Sequence, residues 1–170
     1  SLTAVGANAL DANTTANNNV AIGASALGVN TTGTNNTAVG TFSLDANTTA
    51  NNNTAIGYGS LSASTTAHSC TAIGNSALVA NTTGIQNTAV GSLALDSNTT
   101  GLNNVAVGFN CLPGATSANF NVGMGVNALL VCNGSSNTAV GSLALENNTT
   151  SNNTAVGLKR YRQTQVQQVM

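Results

Sequence analysis

The side chains that could do chemistry in this chain of 170 residues are few and widely spaced. Asp11 and Asp45 occupy equivalent places two units apart in a sequence repeat. If the units stack like strands, two spacings separate the carboxylates by about 10 Å, near the range of inverting glycosidases. No flanking residue would raise the pKa of one of them. His68, the only histidine, lies in a polar stretch typical of a solvated loop. The residues predict no enzyme.

The sequence also offers few residues for metal binding or for disulfide bonds. Cys70, Cys111 and Cys132 are odd in number and occupy three different places in the repeat, so they predict small buried substitutes rather than disulfides or ligands. The acidic residues are too sparse to give calcium its six to eight oxygen ligands; they are Asp11, Asp45, Asp96 and Glu146. We expect no metal and no cofactor.

Composition excludes two kinds of partner. The net charge is -1, so no long-range field attracts nucleic acid or an anionic membrane. No apolar run is long enough for a transmembrane helix. Only 4% of residues are charged and 3% aromatic, which without periodicity is typical of disordered low-complexity sequence.

A strict sequence repeat argues against a disordered chain. Thr3-Ala4-Val5-Gly6 returns to the C-terminus at an interval of 17 residues seven times and then of 16 residues twice. Stacked repeats bury a continuous core that no single unit could bury alone. The two shorter units lose their residue in a polar stretch, around 133–136 and 149–151, where a loop tolerates deletion.

The elements within one repeat follow from its fixed positions, counted from the residue before Ala-Val-Gly. Positions one to four predict a short strand, and the glycine with two variable residues predicts a tight corner. Positions seven and eight, a small residue and Leu, predict a shorter strand, followed by a polar return. We therefore predict an all-β protein, a β-solenoid of about ten coils of 16–17 residues over 1–157. Residues 158–170 diverge and predict a terminal coil, a cap or the start of a stalk.

Two columns of large apolar residues form the predicted repeat core. Strand alternation places positions one and three on one face and the Ala and Gly of positions two and four on the other. We expect the Ala/Gly side to line the interior with the Leu column while the Val/Ile side faces a neighbouring chain; the reverse assignment stays open. The Val/Ile column is Val5, Ile22, Val39, Ile56, Ile73, Val90, Val107 and Val140, and the Leu column is Leu10, Leu27, Leu44, Leu61, Leu78, Leu95, Leu112, Leu129 and Leu145. A strand that is apolar on both faces predicts a closed homo-oligomer.

Polar columns add detail to the stack. All four acids fall at position nine and never in adjacent coils, as charge repulsion in a stack requires. Asn recurs at positions 11 and 17, which predicts side-chain ladders. Several position-11 residues, such as Asn81, begin glycosylation sequons that we attribute to turn chemistry unless the source glycosylates secreted proteins.

Three aromatic residues, Phe42, Tyr58 and Phe109, fall at the predicted corner and should point outward. They are candidates for a receptor-contact surface; scattered surface positions or subunit contacts are the alternative.

The repeat resembles known fibre proteins. Residues 87–95 read Asn-Thr-Ala-Val-Gly-Ser-Leu-Ala-Leu, and several return stretches read Asn-Thr-Thr-Gly. This pattern is similar to the head repeat of YadA-like trimeric autotransporter adhesins and, in its 17-residue spelling, to repeats of phage tail fibres. The similarity covers residue 3 to about 157. The YadA-type unit is usually shorter, and no neck motif or heptad repeat follows the last coil.

The resemblance implies a left-handed parallel β-roll, three chains side by side, in an extracellular, cell-surface or virion-borne fibre. Such a fibre attaches to a host or cell surface through a glycan or protein receptor and carries no catalytic residues. Two alternatives remain open. One is an ice-binding solenoid, because Thr recurs in a column at Thr14, Thr31, Thr48, Thr65, Thr82, Thr99 and Thr116. The other is a structural spacer in an extracellular filament.

Overall fold

A computed structural model describes residues 1–159 as short parallel strands joined by turns. The strands are β1 (Leu2–Val5), β2 (Asn19–Ile22), β3 (Thr37–Val39), β4 (Thr54–Ile56), β5 (Thr71–Ile73), β6 (Thr88–Val90), β7 (Val105–Val107), β8 (Val122–Met124), β9 (Val131–Cys132), β10 (Thr138–Val140), β11 (Asn147–Asn148) and β12 (Thr154–Val156). Each unit contributes its Thr-Ala-Val-like segment as one strand. The predicted all-β class is confirmed.

The strands stack in the order of the sequence. Ten of them form one parallel sheet in the order β1-β2-β3-β4-β5-β6-β7-β8-β10-β12, and β11 and β9 form a second, two-stranded sheet. Equivalent repeat positions pair across neighbouring coils, for example Ala72 with Ala89 and Ile73 with Val90. The shorter interval keeps the same register, because Val140 pairs with Val156. The chain is thus a parallel β-solenoid of about nine turns.

The interior is narrow and filled by small residues and leucine. Position-two alanines such as Ala72 and Ala89 are fully buried, and so are seven leucines of the Leu column; they are Leu27, Leu44, Leu61, Leu78, Leu95, Leu112 and Leu129. Leu10 and Leu145, at the two ends of the column, are slightly less covered. The expected interior of Ala and Leu is confirmed. A large residue in the strand would not fit there, which explains the uniform alanine.

The Val/Ile column, which the sequence grouped with Leu as repeat core, lies on the other side of the sheet. Val5 is 58% exposed, Ile22 40% and Ile73 37%. The remaining members, Val39, Ile56, Val90, Val107 and Val140, are half-buried or exposed. These eight residues are therefore not core of the single chain, because strand alternation turns them away from alanine and leucine. Equivalent members of the column are paired in neighbouring strands, as Ile73 is with Val90.

The second strand predicted at positions seven and eight is wrong. Within residues 1–159 these positions lie in turns, bends or irregular backbone, and the column leucines adopt left-handed backbone conformations, as at Leu44 with φ 49°. Stacking hydrogen bonds still join the coils here: the Leu61 N–H donates to the Ala77 carbonyl at 3.0 Å. Two residues must turn the chain back across a very narrow core, and a left-handed residue does so in less length than a strand.

The two shortened coils differ locally. Their second halves contain β9 and β11, which pair as Val131 with Asn147 and Cys132 with Asn148. In these two coils a short pair of strands therefore takes the place of part of the turn, and the main sheet continues past them. Of the divergent terminal segment predicted at 158–170, only residues 158 and 159 lie within the described chain; the rest falls outside it.

The fixed glycine at position four has a steric cause. Gly108 has φ 135°, a region that only glycine adopts readily, and a Cβ on it would lie 2.6 Å from the Gly125 carbonyl oxygen in the next coil. The glycines thus let successive backbones approach each other at the end of every strand. The invariance of this column follows from backbone packing, not from ligand binding.

Candidate functional site

Of the residues considered for catalysis, His68 does not line the groove that contains Asp11 and Asp45. His68 is exposed, with its Nδ1 3.5 Å from the Ser69 hydroxyl oxygen, and belongs to the return loop of the fourth coil. Within residues 1–159 no three His, Cys, Asp or Glu side chains lie close enough together to hold a metal ion. Asp11 and Asp45, however, do line one groove.

The three cysteines lie at three separate interior places. Cys70, Cys111 and Cys132 are all buried and free. Burial raises the pKa of the Cys111 thiol to about 11, and it also raises the pKa values of the other two. A thiol held in its protonated form is a poor nucleophile. The cysteines therefore act as small interior side chains, each in a column occupied by other small or polar residues.

Asparagine ladders run through the interior, as the sequence predicted. At position 17 the backbone N–H of Asn121 donates to Oδ1 of Asn104 at 3.0 Å, and the Asn104 amide donates to the Ala118 carbonyl at 2.8 Å. The same pair of bonds recurs in other coils: Oδ1 of Asn36 accepts from the Asn53 N–H, and the Asn36 amide donates to the Ala50 carbonyl. Each amide thereby joins two coils and satisfies buried backbone groups. The role is structural.

Position-11 asparagines form shorter ladders. The amide of Asn98 donates to Oδ1 of Asn81 at 2.7 Å and to the Gly101 carbonyl at 3.1 Å. Asn30, Asn47, Asn81 and Asn98 are fully buried. A glycan on any of these four amides is incompatible with the folded coil, although each begins a sequon.

Two threonine columns lie on the return side. Hydroxyls of the column that suggested ice binding donate to the carbonyl of the next threonine, as Thr31 does to Thr48 at 3.1 Å and Thr99 to Thr116 at 2.9 Å. These donors are therefore used inside the stack. The neighbouring residues instead form an exposed rank that the repeat pattern alone did not indicate: Thr15, Thr32, Thr49, Thr66, Thr83 and Thr100.

The outer face of the ten-stranded sheet carries a column of partly or fully exposed apolar side chains. Position three supplies Val or Ile, with Met124 (44% exposed) in the eighth coil, and position one supplies Thr or half-buried Val. Every strand from β1 to β8 and β10 and β12 contributes, so the surface is continuous. In the described residues nothing covers it.

The corner aromatics point outward, as predicted. Phe42 is 42% exposed, Tyr58 56% and Phe109 51%. Phe42 and Tyr58 belong to adjacent coils, and their rings meet edge to face with centroids 6.0 Å apart. Phe109 lies three coils further on. The structure thus joins two of the three candidates into a pair. Phe120, which the sequence pattern did not mark as a candidate, is also exposed, on a return loop.

A groove of about 340 Å³ lies beside this aromatic pair, across the first three coils. Asp11 and Asp45 line it from coils one and three, and Gly28 occupies the same position nine in the coil between them. Phe42 and the exposed Val29 complete the apolar part of the lining. The sequence shows that residue 28 is a glycine without a side chain. The register of the stacked coils places this glycine between Asp11 and Asp45, where it leaves a notch.

The two carboxylates in the groove differ in environment. Burial raises the pKa of the Asp45 carboxyl, and the backbone N–H groups of Asp45 and Ala46 partly oppose this shift. Oδ1 of Asp45 is inaccessible to solvent and accepts no hydrogen bond within the described chain. Lys159 lies near the other end of the stack, where its ammonium group forms an ion pair with Oε2 of Glu146. Asp45 is therefore a carboxylate with unused acceptor capacity.

Comparison of the chain with known protein families, with curated proteins and with solved structures gives no match. Within residues 1–159 no helix has the length and apolar character needed to cross a bilayer.

Proposed function

We propose that the chain is a segment of a rigid, non-catalytic homotrimeric fibre that attaches to a host or cell surface. The fibre is of the phage tail-fibre or bacterial adhesin-head kind and lies outside the cell or on a virion. The observation that carries this proposal is the continuous Val/Ile face of the ten-stranded sheet, which the single chain leaves exposed.

The apolar face supports self-association for a physical reason. Parallel sheets are normally covered on both faces, and soluble monomers rarely expose contiguous apolar patches of more than a few hundred Å². The covering surface must match a straight column with the spacing of the strands. A second copy of the same chain presents such a column, with Val90 and Ile73 in the same repeat register as their counterparts. Three copies in a ring close the assembly without leaving an open face.

The remaining features suit display rather than catalysis. Each coil is tied to the next by backbone bonds, buried amides and threonine hydroxyls, as at Asn104 and Thr99. Such a stack is stiff, and its corners present variable side chains, including Phe42 and Tyr58, along the outside. A left-handed sense of winding belongs to the same proposal, through the resemblance of the repeat to adhesin heads.

Solution mass tests the proposal directly. Light scattering coupled to size exclusion should give three times the chain mass of 16.7 kDa. Val90→Asp and Ile73→Asp should abolish that species, because each buries an unpaired carboxylate in the contact at a cost of several kcal/mol. Asp96→Asn, at a half-buried corner, is the matched control and should keep the trimer mass. A wild-type monomer, or trimers of both aspartate variants, would contradict the proposal.

Ice binding is the second candidate, favoured by the exposed rank of Thr15, Thr32, Thr49, Thr66, Thr83 and Thr100. The rank repeats at about the strand spacing, 4.8 Å, as an ordered water layer would require. A monomer that slows the recrystallisation of ice, and loses this effect in Thr66→Lys, would support this candidate over the fibre. The structural-spacer alternative predicts a trimer with no surface-binding activity.

A further inference from the structure

We propose that the groove across the first three coils is a saccharide-binding site. The site takes a neutral oligosaccharide about two sugar rings long, bound between Asp11 and Asp45 with one ring against Phe42. This deepens the proposed attachment function and rests on it for its biological role, while its chemistry is independent of the oligomeric state.

The shape of the site comes from one substitution in a regular column. Position nine carries Asp, Ser, Val, Pro, Leu or Glu in the other described coils, whereas the second coil has Gly28. Its missing side chain opens a notch between the carboxylates of coils one and three. Two strand spacings separate these coils, about 10 Å. That length suits a linear ligand that meets one carboxylate at each end.

The lining combines the two kinds of surface that sugars need. Phe42 and the exposed Val29 supply apolar area for the C–H face of a ring. The Tyr58 ring of the next coil packs edge to face with Phe42, which restrains the Phe42 ring beside the groove. Ordered aromatic rings at low conformational cost are effective contact residues.

The polar lining is matched to hydroxyl groups. The carboxylates of Asp11 and Asp45 accept hydrogen bonds, and the Asn8 amide and Ser25 hydroxyl can donate or accept. Oδ1 of Asp45 is buried and out of reach of a ligand, so the groove side of this carboxylate is the part that can accept from a sugar hydroxyl. Hydrogen bonds to ionised acceptors are about twice as strong as neutral ones.

A dication is the competing ligand, since two carboxylates and an aromatic ring also attract ammonium groups. The spacing of the carboxylates suits either ligand, and the lining favours the sugar. The Asn8 and Ser25 side chains offer a neutral polyol partners that a diamine does not need.

The test uses saturation-transfer NMR on the purified protein with lactose, maltose, cellobiose and N,N′-diacetylchitobiose, and separately with 1,5-diaminopentane. At least one disaccharide should give a signal. Gly28→Val, which fills the notch with the residue present at Val79, should abolish it. Phe42→Ala should weaken binding at least tenfold. Circular dichroism checks that each variant keeps the wild-type spectrum.

Matched variants show whether binding depends on this groove. Phe120→Ala removes an aromatic of similar exposure elsewhere, and Asp96→Asn removes a position-nine acid beside no notch; both should bind like wild type. Asp11→Asn keeps an oxygen acceptor, so it should weaken disaccharide binding less than tenfold.

Three outcomes overturn the inference. The first is no disaccharide signal from the wild type, and the second is a signal that survives Gly28→Val. The third is binding of the diamine alone, if that binding is lost in Asp11→Asn and in roughly 0.3 M salt, which screens attraction between charges. The trimer measurement is independent, so a trimer without sugar binding would reject this site and leave the fibre proposal standing.

Discussion

At the scale of single residues, the stack depends on side chains that satisfy two coils at once. Each position-17 amide accepts a backbone N–H and donates to a backbone carbonyl in the next coil, as Asn53 does with Cys70 and Ala67. Cys70 interrupts this column. Its sulfur lies 3.3 Å from the Gly84 carbonyl oxygen, and the N–H groups of Asn87 and Gln86 face it. Sulfur is a weak partner for all of these groups.

Cys70→Asn should therefore stabilise the protein, by about 1 kcal/mol, the net worth of a buried hydrogen bond. The new amide would donate to Gly84 and accept from Asn87, as its neighbours in the column do. Asn104→Ala provides the opposite change and should cost about 2–3 kcal/mol, because it leaves the Ala118 carbonyl and the Asn121 N–H unpaired. Guanidinium unfolding midpoints measure both. Equal midpoints for Cys70→Asn and wild type would mean that the thiol already satisfies its neighbours.

The raised pKa of Asp45 gives a pH-dependent prediction. A carboxyl whose pKa is higher in the folded state binds its proton more tightly there, so stability falls as pH rises through the carboxyl range. Asp45→Asn should raise the thermal midpoint slightly at pH 7, and the gain should vanish below pH of about 3.9, where the unfolded carboxyl is also protonated. Asp11 across the groove is the nearest other position-nine charge in the column, and it has the same sign. An Asp45→Asn variant less stable than wild type at pH 7 would show that the charge is favourably solvated.

At the scale of elements, the strand is readable from sequence and the corner is not. The Thr-Ala-Val-Gly period fixes the strand, its parallel register and the buried alanine face, and all of these are confirmed. The left-handed leucines, such as Leu44, were not predicted. Leucine has no preference for that conformation. It is imposed by the tertiary demand of turning the chain around a core only a few side chains wide. Because the conformation of the corner was not predicted, the groove at Gly28 was not predicted either.

The glycine at the end of each strand yields a test of this close packing. Gly108→Ala should destabilise by more than about 3 kcal/mol, because it combines a glycine-only φ with overlap against the next backbone. Gly59→Ala is the control: φ is 61°, and the nearest atom to an added Cβ is 4.0 Å away. Its cost should be about 1 kcal/mol, the penalty of the left-handed conformation alone. Similar losses in the two variants, measured by urea unfolding, would contradict a steric cause for the glycine column.

At the scale of the whole molecule, the fold is a linear stack in which each coil contacts its neighbours. All described contacts between strands join strands of successive coils. Stability in such arrays is close to a sum over units and their interfaces. The number of coils can then change without loss of the fold, whereas the register between coils cannot. The natural loss of one residue in coils eight and nine shows where length can change: Val140 and Val156 still pair.

Removal of one complete coil follows as the last prediction. Deleting residues 88–104 joins Asn87 to Val105 and brings Ala72 opposite Ala106, so every column is restored. The variant should fold, keep its oligomeric state and become shorter by about 4.8 Å, one strand spacing. Small-angle scattering measures the maximum dimension, and circular dichroism measures the fold. Deleting residues 88–95 alone removes fewer residues, but it leaves the polar stretch 96–104 as an extra loop before Val105. This shorter deletion should be less stable than the complete-coil deletion, because ordering the ends of the longer loop costs entropy and adds no stacked coil. A shorter deletion as stable as the complete-coil deletion, or failure of the complete-coil deletion to fold, would contradict this account.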